Sequence, residues 1–235
     1  CMRKNFVVMM LLVVACAGAS ASAANSWFIN TSGDGLWSNA ANWSLGLPNA
    51  TNDGMIAAYA VNTNVTAQAD VSHTNVWMYV GYGGYNGTLN ITTPGVTTGT
   101  SFYLSVGAVA GTMGIINVGN GGKYQNTGGW VNYIGDGGTG IVNVNAGGTW
   151  QSALRINIGN ASGNGTFNVA GGTVTALDMV IGNSGMGALA MNGGTLTTTG
   201  PGGIFLGVGA AGQMSVSSGS LVTTTDLNIG YSANG

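Results

Sequence analysis

Ile134-Gly-Asp-Gly-Gly-Thr-Gly-Ile-Val-Asn-Val-Asn-Ala-Gly-Gly-Thr-Trp150 carries three short elements in order: an apolar residue before glycine, then Gly-x-x-Asn-Val, then Gly-Thr-apolar. The first recurs at Val80-Gly81, Val106-Gly107, Ile158-Gly159, Ile181-Gly182, Leu206-Gly207 and Ile229-Gly230. With Ile134-Gly135 included, the spacings are 26, 28, 24, 23, 25 and 23 residues. The second recurs as Gly87-Thr-Leu-Asn-Ile91, Gly114-Ile-Ile-Asn-Val118 and Gly165-Thr-Phe-Asn-Val169, with Gly187-Ala-Leu-Ala-Met191 and Gly212-Gln-Met-Ser-Val216 as relatives. The third recurs at Gly122-Lys-Tyr124, Gly172-Thr-Val174, Gly194-Thr-Leu196 and Gly219-Ser-Leu221. Three elements repeated in fixed order at a period of this length are the signature of a stacked repeat architecture.

Within each unit the period is two. Positions one and three before the x-Gly glycine are apolar almost throughout, Asn132 being the exception, while the residue between them varies. Leu89/Ile91, Ile116/Val118, Val142/Val144 and Phe167/Val169 flank an asparagine in the same way. Such alternation puts one row inside a sheet and the other outside. A single unit cannot bury its apolar row alone, but units laid over one another bury a continuous column. The fold expected is therefore all-β: a right-handed parallel β-helix (β-solenoid) of about seven coils of roughly 24 residues, three short strands in each. Glycines would turn the corners. Charge would be scarce, because equivalent positions lie one strand spacing apart and like charges there repel.

The composition agrees. Of 235 residues, 44 are glycine and 4% are charged, against about 25% charged in an average domain. All the acids are Asp. Lys123 and Arg155 are the only lysine and arginine beyond residue 24, too few to neutralise a phosphate backbone, so nucleic acid is excluded as a partner.

Residues 1–24 read as a secretory signal: Arg3 and Lys4, the apolar run Phe6 to Ala15, then small residues with Ala21-Ser-Ala23 as a cleavage site. The apolar run is shorter than the roughly 20 residues a bilayer requires. Val13-Val-Ala-Cys16 resembles a lipobox, which makes Cys16 a candidate for lipidation, although cleavage after the small-residue site is favoured. The expected location is extracellular or at a bacterial cell surface, with membrane contact only through the leader or a lipid anchor. Residues 25–72 depart from the repeat and read as an N-terminal cap, with Trp37 and Trp43 covering the first open rung. Residues 73–235 are the solenoid, expected to be a piece of a longer protein because no closing segment precedes Gly235.

The order Gly35-Leu-Trp37, Asn42-Trp43, Pro48, Asp53, followed by the Ile-Gly, Gly-x-x-Asn-Val and Gly-Thr-apolar repeats, resembles the bacterial autotransporter-associated β-strand-repeat proteins. The resemblance runs from Trp27 to Gly235 and also takes in secreted relatives that end in a short sorting signal. It implies a β-solenoid and an exported life as adhesin, passenger domain or envelope component, with some enzymes among such proteins. It implies no shared catalytic set.

The residues themselves give catalysis little material. Glycosidase chemistry needs two opposed carboxylates about 5–10 Å apart, and a lyase needs clustered carboxylates for Ca²⁺ with a basic residue. Asp136 follows its x-Gly glycine, whereas Asp178 and Asp226 lie four residues before theirs. Register places Arg155 beside Asp178, an arrangement that opposes a general-acid role and reads as a partly exposed salt bridge. His73 stands alone, so neither a metal nor a cofactor is expected. Asn90, Asn117, Asn143 and Asn168 would form an outward ladder, and Tyr124 and Trp150 would lie in the core. The outward Tyr79, Tyr133 and Phe205 are the candidates for contact with a glycan or partner. The function expected is a structural, adhesin-like surface segment without catalysis, meeting cell-surface or matrix glycans or proteins. The alternative is a carbohydrate-binding module or a pectate-lyase-like enzyme.

Overall fold

Strands from successive repeats pair in parallel, equivalent residue over equivalent residue, and wind into a β-solenoid of about eight turns. The computed structural model describes residues 25–49, 52–57, 64–223 and 225–230. The leader reading of 1–24, with Cys16, lies outside the described residues.

Three columns of strands make the walls. The Ile-Gly column stacks Ile134 between Val106 and Ile158, and Ile181 between Ile158 and Leu206. The Asn-Val column stacks Val118 on Val144 on Val169 on Met191. The Gly-Thr column stacks Tyr124 on Trp150 on Val174 on Leu196. Their inward rows meet in one core that runs from Phe28 to Ile204, most of it fully buried. Each Val, Leu or Ile so enclosed contributes about 1.5–3 kcal/mol.

The pairing runs through the segment read as a cap. Asn25–Trp27 pairs with Asp53–Ile56, which pairs with residues 78–80. Asn64–Gln68 opens the Asn-Val column by pairing with Asn86–Ile91. The turn count therefore exceeds the seven x-Gly pairs, because these early rungs carry no such signature. Trp37 and Trp43 are buried and pack edge-on, ring centroids 4.5 Å apart, with Phe28 5.0 Å from Trp43. Asp34 ties the surrounding loop together. It accepts from the Leu36 N–H and from the side-chain amides of Asn39 and Asn42, and these bonds hold its carboxyl well below the usual range.

Corners explain the glycines. Gly135 has φ +74°, a left-handed conformation costly for any residue with a β-carbon. At Gly140 the constraint is space. A β-carbon there would lie 2.1 Å from the Gly135 nitrogen and 2.3 Å from the Val106 oxygen. Both corner glycines thus let consecutive coils approach to strand-pairing distance.

Two departures from strict alternation stand out. Asn132 occupies an inward position and is fully buried. It accepts from the Tyr124 hydroxyl at 3.2 Å and the Asn126 amide at 3.0 Å, and donates to Ser152 at 2.7 Å. A polar group in the lumen is stable because each partner is also inside. Conversely, the row expected outside the Ile-Gly column includes Ser105, Asn157 and Val180, all buried. Ser105 lies in register between the larger Tyr79 and Tyr133.

Candidate functional site

Ring-bearing side chains concentrate where two coils are longer than the rest. Strand His73–Val80 pairs with Thr97–Val106 through a register shift after Asn75. A bulge of this kind re-aims side chains. Here it brings Trp77 opposite Tyr103, with Phe102 beside it. The next coil adds Trp130 from the turn before strand Asn132–Asp136. Gly129, at φ +93°, allows this, since a β-carbon there would lie 2.5 Å from the Phe102 ring. The Trp130 N–H donates to the Phe102 carbonyl at 2.6 Å, which seats the turn over that ring.

The result is an open groove of about 500 Å³ lined by Trp77, Tyr79, Phe102, Tyr103, Trp130 and Tyr133, with Asp136 and Asn160 at one end. Trp77 stacks on Phe102 at 5.8 Å with 10° between planes. Tyr103 lies 5.5 Å from Tyr79 and 5.7 Å from Tyr133, tilted to both. Trp77 and Trp130 are the exposed members, at 36% and 53%. The Trp130 indole N–H donates to the Tyr133 hydroxyl at 3.3 Å.

Asp136 anchors the floor. Its carboxylate accepts from the Tyr103 hydroxyl at 2.9 Å, the Ser105 hydroxyl at 3.3 Å and the Asn160 amide at 2.7 Å. Burial, with the negative Asp136 next to it, pushes the Tyr103 hydroxyl pKa well above its ordinary value. Tyr103 therefore stays a neutral donor at any working pH. Asn160 in turn accepts from Asn183 at 2.8 Å, extending the polar chain along the axis.

The structure brings Tyr79 and Tyr133 into this groove through Tyr103. It does not bring Phe205, which lies three rungs beyond Tyr133 against Arg155, Val180, Asn183 and Val208. Trp77, Phe102, Tyr103 and Trp130 went unread because period-two register does not survive the bulge. The one signal was the spacing itself, 26 and 28 residues across these coils.

Asp136, Asp178 and Asp226 do not converge. Asp178 is buried and takes a two-pronged bond from Arg155, Nε to Oδ1 at 2.7 Å and Nη2 to Oδ2 at 2.9 Å. It borders the strand end away from Asp136, and Asp226 is exposed two rungs further on. Among the described residues no three His, Cys, Asp or Glu side chains come together as a metal site would require. No described helix is long and apolar enough to cross a membrane. The outward amides do form a ladder: Asn168 donates to Asn143, Asn143 to Asn117 and Asn117 to Asn90, each at 2.8–2.9 Å. Comparison of the chain with family models, curated proteins and solved structures finds no match in any of the three.

Proposed function

We propose that the chain is a segment of an exported, surface-presenting scaffold, adhesin-like in its action and without catalysis. By the order of its motifs alone it would be a relative of autotransporter-associated β-strand-repeat proteins. The observation that carries the reading is the uninterrupted stack. Wall strands pair from coil to coil along the described stack, and the outward Asn90–Asn168 ladder is uncharged and spent on its own neighbours. Such a tube resists bending through its backbone ladders and offers an extended face to other molecules. The dispersal of Asp136, Asp178 and Asp226 supports the non-enzymatic side of the reading, since glycosidic hydrolysis calls for an opposed pair. Among the described residues that line the aromatic groove Asp136 is the one carboxylate, and it already accepts from three side chains.

Expression of the full chain in a Gram-negative host tests this. Residues 1–24 should be removed, and the remainder should be accessible to protease or antibody on intact cells or in the medium. Retention in the cytoplasm with the leader intact would overturn the exported role. Release of reducing ends from polysaccharide by the wild-type chain, lost on Asp136→Asn, would replace the scaffold with an enzyme.

A further inference from the structure

Two runs of neighbouring rings line the groove: Trp77–Phe102–Trp130, which holds the two exposed rings, and Tyr79–Tyr103–Tyr133, its less exposed floor. Tyr79 and Tyr133 are two rungs apart, so the floor extends roughly 10 Å along the solenoid axis. We propose that this groove binds an uncharged glycan chain lying along the axis, its pyranose rings stacked on Trp77 and Trp130.

The chemistry of the lining points to that class. A pyranose has apolar C–H faces and a rim of hydroxyls, and it is held best where ring faces alternate with single donors and acceptors. Ligand sites are in general mostly apolar with a few placed polar groups. Here the Trp77 indole N–H and the Tyr79 hydroxyl have no hydrogen-bond partner among the described residues, while the rings beside them are braced by one another. Tyr103 is fixed by Asp136, and Trp130 by Tyr133 and the Phe102 carbonyl. Such bracing lowers the ordering cost that a ligand must otherwise overcome. Among the described residues that line the groove there is no cationic side chain, and the one carboxylate, Asp136, would repel a uronic acid, which selects against acidic polysaccharides. A second copy of the chain would need a matching apolar ridge. Among the described residues the other exposed large hydrophobics fall mainly in the first loop (Leu36, Leu45, Leu47) and on the last rungs (Val216, Val222, Leu227, Ile229).

The inference rests on the surface-presenting reading, yet its test is separate. The purified chain is titrated with cellohexaose, xylohexaose and mannohexaose, and with hexagalacturonate as the charged control, by calorimetry and tryptophan fluorescence. At least one neutral hexasaccharide should bind saturably with a change in indole emission, and hexagalacturonate should bind at least tenfold more weakly. Trp77→Ala and Trp130→Ala should each weaken binding tenfold or more. Trp130→Phe should restore part of it. Both side chains are exposed, so unchanged circular dichroism and melting temperature will show that the tube is intact. Three results overturn the proposal: no binding to any neutral hexasaccharide, binding indifferent to both Trp substitutions, or sedimentation showing a dimer that Trp130→Ala dissolves. Each leaves the cell-surface experiment untouched, so the two readings fail independently.

Discussion

His73 lies with its ring flat on Trp37, centroids 3.6 Å apart. Its Nδ1 faces the Val71 carbonyl at 3.0 Å, and its buried Nε2 has no hydrogen-bond partner among the described residues. Burial pushes its pKa down from 6.5 to about 4. The unfolded chain then binds the proton more readily, so the His73 contribution is full above pH 6.5 and is lost as pH falls toward about 4. Asp53 acts in the opposite direction. Burial raises its carboxyl from 3.8 to about 6, against a bond from the Trp77 backbone N–H. The folded state therefore takes up its proton first, and stability rises as pH falls from about 6 to 3.8. The two contributions, each up to about 3 kcal/mol, overlap and oppose in one window. Urea unfolding from pH 6.5 to 4 should show this by sign. His73→Gln should gain stability on acidification relative to wild type, and Asp53→Asn should lose it. Equal slopes in the two variants would show that neither group titrates as its surroundings dictate.

At the scale of elements, the repeat was legible because side-chain period and coil period reinforced one another. Ile134, Ile158 and Ile181 could be laid over each other from spacing alone, and so could Arg155 over Asp178 and the ladder Asn90–Asn168. Where a local irregularity broke the count, the sequence lost its grip. The shift after Asn75 and the turn at Gly129 built the aromatic groove, and neither follows from period two. The early rungs 25–27 and 53–56 were equally hidden, since their partners are set by strand pairing and not by an x-Gly signature. Asn132 was visible only as an exception. Its row otherwise holds Leu104, Ile156 and Met179, so Asn132→Ile would restore the apolar pattern. The packing argues the reverse outcome. The substitution removes one buried bond each from Tyr124, Asn126 and Ser152, which keep Thr100 and Leu154 as partners, at roughly 0.5–1.5 kcal/mol for each bond lost. Asn132→Ile should lower stability by roughly 1–3 kcal/mol in urea unfolding. A neutral or stabilising result would mean that the polar network contributes nothing net.

Across the whole molecule the two ends of the described stack differ. At the first rungs Phe28, Trp37 and Trp43 are sealed in the core. At the last described rungs inward-row residues lie more open: Val216 at 46% exposure and Leu227 at 45%, where their partners Met191 and Ile204 are buried. A solenoid's stability is the sum of coil and nearest-neighbour terms, so a rung with one neighbour opens more easily than a rung with two. Hydrogen exchange of the purified chain should follow that gradient. Amides of Gly212–Thr223 and Leu227–Ile229, which have a partner on one side only among the described residues, should exchange first. Those of Met113–Val118, Thr139–Asn145 and Ile156–Asn160, which have partners on both sides, should exchange last and by the global route. Trp37→Ala removes a fully enclosed ring, a change that costs about 3–5 kcal/mol. It should raise exchange in Asn25–Trp27 and Asp53–Ile56 well before it reaches Thr139–Asn145. If all strands exchanged at one rate in both proteins, the stack would be a single cooperative unit, and the nearest-neighbour account of its stability would fall.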